Sequence, residues 1–144
     1  MSAKENVTKD PLLEQSLRGL SAHLHKKWGD RTRMDVFNRL LAKNLRPPGW
    51  TKNTHFTFTE AQIKSRQELW STDRLAGLRL GHSDPSGDDF ECPIVIAEYA
   101  GEQRLLDGNY RVNRWKLLGD TKEHLVNIHT VVGESELVAL PNAA

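Results

Sequence analysis

The sequence predicts an α+β fold, in which a small mixed β-sheet with a β-β-α-β core carries an N-terminal helical extension. Three observations support this prediction. Leucines recur at spacings of three and four from Leu13 to Leu45, which is typical of amphipathic helices. The segment Pro93–Tyr99 is almost entirely apolar, as expected of a strand that is buried on both faces. A returning strand, a glycine turn, a helix and a last strand then follow between Gln103 and Val132.

Length and composition narrow the class of protein. The chain has 144 residues, the size of one domain, which we divide into a helical extension (1–50) and an α+β domain (51–144) that together form one compact unit. Its 20 basic and 19 acidic residues leave a formal charge of +1, without the basic excess that is typical of a protein that wraps duplex DNA. The single cysteine, Cys92, excludes an intrachain disulfide and a cysteine-based zinc site. No signal-peptide core or long apolar run is present, so we expect a cytoplasmic protein without a membrane span.

Two helices are predicted in the extension. Asp10 and Pro11 are the residue types of an N-cap and a first helical position. The first apolar stripe, which Gly29 ends, consists of Leu13, Leu17, Leu20, Leu24 and Trp28. Thr32 and Asp35 resemble a capping box for the second helix, and the segment 46–49 stops it. The second stripe consists of Val36, Phe37, Leu40, Leu41 and Leu45.

A basic cluster between these helices fits either a nucleic-acid contact, with Trp28 and Trp50 as stacking partners, or a solvated connection. Its members are Lys26, Lys27, Arg31 and Arg33.

A third helix is predicted from Glu60 to Leu75, because Thr59 and Gln62 have capping-box spacing after the β-prone run 55–58. We expect this helix to bury Ile63, Leu69 and Trp70. The segment 82–89 is rich in Asp, Pro, Ser and Gly and predicts an exposed loop.

The β-β-α-β core is predicted between residues 93 and 132. Its helix should run from Tyr110 to Leu118, with Gly119 as the C′ residue. The buried side of that helix should consist of Val112, Trp115 and Leu118. The closing strand, 125–132, should place Val126, Ile128 and Val132 on one face and a partly buried His129 on the other.

The residues that could bind a ligand lie in the turn between the returning strand and this helix. Gly108 permits a positive φ or a close approach, and the helix start presents unpaired N–H groups and the positive end of a dipole. Arg111 falls in the first helical turn and Arg114 one turn later, so a phosphate or carboxylate fits there. Asp107 fits three roles: it could orient Arg111, hold a metal or act as a general base. Asn109 could cap the helix or contact a ligand, and the same residues also fit a purely structural turn.

These segments, PIVIAEY, EQRLLDGNYR, VNRWKLLG and LVNIHTVV, resemble the ParB/sulfiredoxin-like superfamily, which contains ParB-like nuclease and nucleotide-binding domains. The resemblance covers about residues 93–132. It implies that Arg111 grips a nucleotide phosphate, that the backbone of Gly108, Asn109 and Tyr110 cradles it, and that Arg114 is a further contact. Asp107 and Glu98, with Glu102 beside them, are then the carboxylates available for catalysis or for Mg²⁺, and ATP or CTP is the expected cofactor.

Departures from the family narrow this expectation. Sulfiredoxins place a cysteine and a histidine just before the motif arginine, where this chain has Asn109 and Tyr110, so sulfiredoxin chemistry is not expected. Free serine kinases carry histidines at the same two positions, which weakens a kinase assignment. A partition protein continues into a helix-turn-helix domain, whereas this chain ends soon after the last strand, so we do not expect a complete partition protein.

The leading functional prediction is therefore a module that binds a nucleotide or other phosphate ligand at Asp107–Arg111, with Mg²⁺-dependent phosphoryl transfer or nucleotide hydrolysis as its chemistry. The alternative is a non-enzymatic accessory protein of plasmid or phage type that binds a protein or DNA partner, and a nuclease is a weaker one. The six histidines show no metal-binding spacing, so we expect no zinc site. Whether the chain forms a homodimer stays open.

Overall fold

The computed structural model describes residues 10–28, 33–78 and 93–139, with side chains except at 21–28 and 33. It combines helices with small β-sheets, which is consistent with the predicted α+β class. In chain order the elements are α1 (Pro11–Trp28), α2 (Arg33–Leu45), β1 (Thr54–His55), a 3₁₀ turn (Glu60–Gln62), β2 (Ile63–Ser71), α3 (Thr72–Ala76), β3 (Ile94–Tyr99), β4 (Glu102–Asp107), α4 (Asn109–Leu117), β5 (Glu123–Val131) and β6 (Val138–Ala139).

The main sheet has the strand order β2-β5-β3-β4 and is mixed, as predicted. Strand β5 runs antiparallel to β2 and parallel to β3, while β3 and β4 form an antiparallel hairpin. A second, two-stranded sheet pairs β1 with β6, so the tail after Gly133, where the sequence pattern is weak, contributes a strand.

The predicted helix over 60–75 is wrong, because most of that segment is strand β2. Thr59 N–H does donate to Gln62 Oε1 at 3.0 Å, but the capping contact supports only the 3₁₀ turn. Ile63 and Trp70 are seven residues apart, a spacing that places them on one face of a helix but on opposite faces of a strand. In the structure Ile63 packs on the side of α1 and α2, Trp70 packs on the other side, and Leu69 is 57 % exposed instead of buried.

The sheet is covered on both faces, which explains the nearly continuous apolar sequence of β3. Helices α1 and α2 pack on one face and contribute the fully buried Leu13, Leu17, Phe37 and Leu41. Helices α3 and α4 cover the other face, where Trp70, Leu75, Ile94, Ile96, Leu105, Val112, Val126 and Ile128 form a second apolar cluster. The helical extension therefore shares a core with the sheet.

The first helix begins as predicted, since Asp10 Oδ1 accepts the N–H of Leu12 at 3.0 Å. The described residues leave out Gly29, Thr32, Cys92, the loop 82–89 and the side chains of all four residues of the basic cluster. No helix in the described ranges is both long and apolar enough to cross a membrane.

One buried position of the core was predicted wrongly, and the last residue of the predicted closing strand lies outside β5. Leu118 is 71 % exposed because α4 ends at Leu117 and Gly119, at φ 68°, turns the chain away. Val132 is 44 % exposed because it lies just past the end of β5. Gly119 does occupy the left-handed C′ position, and His129 is fully buried, more deeply than predicted.

Candidate functional site

The predicted phosphate turn lies at one end of the main sheet, where β4 stops and α4 starts. The strand register places Asp107 opposite Val95, at the beginning of β3. The end of β2 and the beginning of β5 lie at the same end of the sheet, since Ser71 pairs with Glu123. We call this the α4 end of the sheet, and the opposite end, which carries the β3–β4 turn, the hairpin end.

Gly108 is the N-cap of α4 and has the left-handed φ of 112°. A Cβ atom added to Gly108 would lie 2.3 Å from Ile94 Cδ1, far inside any real contact distance. The left-handed backbone therefore favours glycine at this position, and a Cβ there would also force the Ile94 side chain to shift.

The first turn of α4 faces this end of the sheet without a capping side chain. The first helical hydrogen bond joins Val112 N–H to Gly108 C=O at 2.9 Å, so the amides of Asn109 and Tyr110 precede the hydrogen-bonded part of the helix. Such amides, together with the positive end of the helix dipole, attract an anion.

Asp107 and Arg111 come together as the sequence predicts. Arg111 Nη2 lies 3.7 Å from Asp107 Oδ2, close enough for an ion pair and too long for a direct hydrogen bond. The two side chains are only 11 % and 20 % exposed, so the guanidinium group is held in one region. Arg114 is exposed one helical turn later, and Tyr110 is half-buried.

Among the described residues near the α4 end of the sheet, Thr72 Oγ1 and Asn109 Oδ1 are buried without a hydrogen-bond partner, whereas His124 Nε2 lies 3.4 Å from Asp120 Oδ1. Thr72 begins α3, Asn109 begins α4, and His124 is the second residue of β5. His124 also stacks on Trp115, with ring centroids 3.6 Å apart. Buried polar groups are normally paired, so unpaired ones often indicate a bound water or ligand.

Glu98, the second predicted catalytic carboxylate, lies at the hairpin end of the sheet. It pairs with Gln103, whereas Asp107 pairs with Val95, which is three residues away along β3. That separation corresponds to roughly 10 Å of strand. The structure therefore does not bring Glu98 into the Asp107–Arg111 turn.

The Glu98 carboxylate is fully occupied by neighbouring donors. Arg66 donates to Oε1 at 2.8 Å and to Oε2 at 3.1 Å, and Gln103 and Thr130 each donate one further hydrogen bond. These contacts, above all those with Arg66, lower the pKa of Glu98 to about 2. A carboxylate with so low a pKa is a poor general base near neutral pH.

Comparison of the chain with family models, curated proteins and solved structures gives no match.

A groove of about 690 Å³ lies at the hairpin end of the sheet, beside Glu98, Gln103, Thr130 and the residues that follow α3. Sequence reasoning missed the contribution of Arg66 to this end, because β2 was assigned to a helix. The alternation of charged Lys64, Arg66 and Glu68 with uncharged Ser65 and Gln67 was the available indication of a strand.

The described residues contain no group of three His, Cys, Asp or Glu side chains that could enclose a metal ion. Mg²⁺ usually takes only one or two protein carboxylates and completes its shell with water and phosphate oxygens. Asp107 is one of the carboxylates at the α4 end of the sheet.

Proposed function

We propose that this protein binds a nucleotide, or another ligand with a phosphate group, at the Asp107–Arg111 turn. One observation carries the proposal: α4 starts directly at the end of β4, its N-cap Gly108 supplies no capping side chain, and Arg111 lies in its first turn. Uncapped helix amides and a nearby arginine are the two groups that proteins commonly use to hold phosphate.

Each residue of the turn has a distinct part in this binding. The backbone from Gly108 to Tyr110 would donate to phosphate oxygens, and the absence of a Cβ at Gly108 lets this turn pack against Ile94. Arg111 supplies positive charge, and Asp107 keeps its guanidinium group in place. Arg114, which is exposed, contacts an outer phosphate.

Two observations favour a nucleotide over inorganic phosphate. The sequence from Pro93 to Val132 resembles the ParB/sulfiredoxin-like superfamily, in which the corresponding turn binds nucleotide phosphates. Asn109 Oδ1 is a buried acceptor without a partner, and a ribose hydroxyl or a base amino group would supply the missing donor. ATP and CTP are therefore the first ligands to test.

Phosphoryl transfer or nucleotide hydrolysis with Mg²⁺ is the chemistry that such a site would support. Asp107 would help to hold Mg²⁺, which would supply positive charge against the phosphates, or it would instead orient a water molecule or an acceptor hydroxyl. Glu98 takes no part at this turn, because it lies at the other end of the sheet and its oxygens already accept four hydrogen bonds.

Ligand-induced stabilisation tests the proposal. ATP, CTP, GTP and ADP would each be titrated with Mg²⁺ against the wild type and the Arg111→Gln variant, with thermal unfolding as the readout. A ligand at 100 times its Kd stabilises a folded protein by about 2.7 kcal/mol. We expect at least one nucleotide to stabilise the wild type and to have a much smaller effect on the variant.

Arg104→Gln is the matched control, since Arg104 is a partly buried arginine at the hairpin end of the sheet. It should keep the full response to the nucleotide. The proposal fails if no nucleotide stabilises the wild type, or if both arginine variants lose the response equally.

The second candidate is a non-enzymatic protein that binds a partner. Its supporting observation is the exposure of two adjacent leucines at the end of α4, Leu117 at 87 % and Leu118 at 71 %. Sedimentation velocity over a range of concentrations would detect self-association through this surface. A dimer that dissociates in the Leu117→Ser, Leu118→Ser double variant would support this candidate, and a monomer at every concentration would exclude self-association as its basis.

A further inference from the structure

A buried polar chain joins helix α1 to the sheet. His129 of β5 is fully buried, and its Nε2 lies 2.7 Å from Ser16 Oγ of α1. Its Nδ1 lies 2.7 Å from Ser65 Oγ of β2. Ser16 Oγ also accepts a hydrogen bond from Asn127 Nδ2 at 3.0 Å, and Asn127 Oδ1 accepts one from Gln67. Three elements therefore meet in this hydrogen-bonded cluster.

The cluster suits a neutral imidazole. A neutral ring has one donor and one acceptor nitrogen, and each serine hydroxyl can fill either role. Protonation would place a positive charge among uncharged groups, because Ser65, Gln67, Asn127 and the Ala97 that pairs with His129 carry no charge. Phe37 of α2 closes the site with its ring centroid 6.2 Å from that of the imidazole.

The charged groups on the packed helices offer little compensation. On α1, Glu14 is bonded to Arg18 at 2.6 Å, and on α2, Asp35 is bonded to Arg39 at 3.0 Å. Asp10, at the start of α1, is close enough to favour the imidazolium form somewhat. Burial outweighs it and lowers the pKa of His129 to about 4.

We propose that the chain Ser16–His129–Ser65 is a pH-sensitive latch, which holds α1 on the sheet while His129 is neutral and releases it when His129 takes up a proton. Release would uncover the sheet face that Leu13, Leu17 and Leu20 now cover. The proposal is independent of the phosphate site, which lies next to α3 and α4 on the other side of the sheet.

The size of the effect follows from the shift in pKa. The pKa of His129 is about 4 when α1 is docked and is expected to be 6.5 when α1 is released. Full protonation therefore shifts the equilibrium toward the released state by at most about 300-fold. Between pH 7 and pH 4, where half of the docked molecules are still neutral, the expected change is about 100-fold.

Amide hydrogen exchange of the full chain measures the released population directly. We expect α1 amides, after correction for intrinsic exchange rates, to lose about 100-fold in protection between pH 7 and pH 4. At both pH values they should be less protected than the amides of β3 and β5, since α1 opens while the sheet stays folded. The NMR titration of the His129 ring should give a pKa near 4 in the same sample.

His129→Gln keeps polar contacts without a titrating ring, so the pH dependence of α1 protection should disappear in this variant. Ser16→Ala, which removes only one side-chain oxygen, should lower α1 protection at pH 7 and leave that of β3 unchanged. The latch is refuted if α1 and β3 share one protection factor at both pH values, because α1 then leaves only in global unfolding. It is also refuted if the wild-type pH dependence persists without the imidazole.

Discussion

At Gly108 both the left-handed backbone and the contact with Ile94 oppose a side chain, so replacement by alanine should be severely destabilising. A left-handed backbone costs a residue with a Cβ about 1–2 kcal/mol, and overpacking against a buried side chain typically costs about 1–3 kcal/mol more. Because Ile94 is 1 % exposed and its Cδ1 would lie 2.3 Å from the new Cβ, we expect both costs to apply. Chemical denaturation of Gly108→Ala should therefore show a loss of about 2–5 kcal/mol.

Two further variants separate the costs. Gly101 also has a positive φ, 80°, but nothing lies within 4 Å of a Cβ added there, so Gly101→Ala should show only the conformational cost. Ile94→Val removes the Cδ1 atom and should rescue part of the loss in a Gly108→Ala background. Equal losses for the two glycine variants would mean that contact with Ile94 contributes nothing.

Arg66 is the main cause of the low pKa of Glu98, and this dependence can be measured directly. The guanidinium hydrogen bonds are the largest cause of the low Glu98 pKa. In an Arg66→Gln variant the pKa of Glu98 should rise from about 2 toward its ordinary value of 4.5. Carbon-13 NMR of the side-chain carboxyl group would follow the titration, and an unchanged pKa would show that Gln103 and Thr130 are sufficient.

Leu69 and Trp70 are adjacent residues of β2 with opposite environments, so substitutions at these two positions test the register of the strand. Trp70 is 1 % exposed, and truncation of a buried tryptophan to alanine usually costs about 3–5 kcal/mol. Leu69 is 57 % exposed, so Leu69→Ala should change the free energy of unfolding by less than about 0.5 kcal/mol. Chemical denaturation of the two variants gives both values, and a large loss for Leu69→Ala would contradict this register of β2.

The elements that sequence reasoning found are those whose pattern has one interpretation. The leucine spacing of α1 is typical of a helix. The apolar run of β3 is typical of a strand that is buried on both faces. The segment 60–75 fits both periodicities, and local capping at Thr59 favoured the wrong one, because pairing of β2 with β5 depends on residues about sixty positions away. The Asp107–Arg111 contact is local and was predicted, whereas the Arg66–Glu98 pair crosses three strands and was not.

The two faces of the main sheet bury different kinds of side chain. The face covered by α3 and α4 is filled by apolar side chains and ends in the candidate phosphate turn. The face covered by α1 and α2 contains the buried polar chain through His129. A change at one face should therefore alter the other mainly through overall stability, and this stability depends on pH.

Acid should destabilise the protein between about pH 6.5 and pH 4, the range in which the unfolded chain binds a proton at His129 more readily than the folded protein does. Its pKa is about 4 in the folded state and 6.5 in the unfolded chain, so the unfolded chain takes up a proton first as the pH falls. The stabilisation is complete above pH 6.5 and is lost as the pH approaches about 4, with a total loss of about 3 kcal/mol. The lowered pKa of Glu98 adds a further loss only below about pH 4.5. Urea denaturation from pH 7 to pH 4.5 should give a steep fall for the wild type and a much flatter profile for His129→Gln. Equal slopes for the two proteins would mean that another group governs the acid sensitivity.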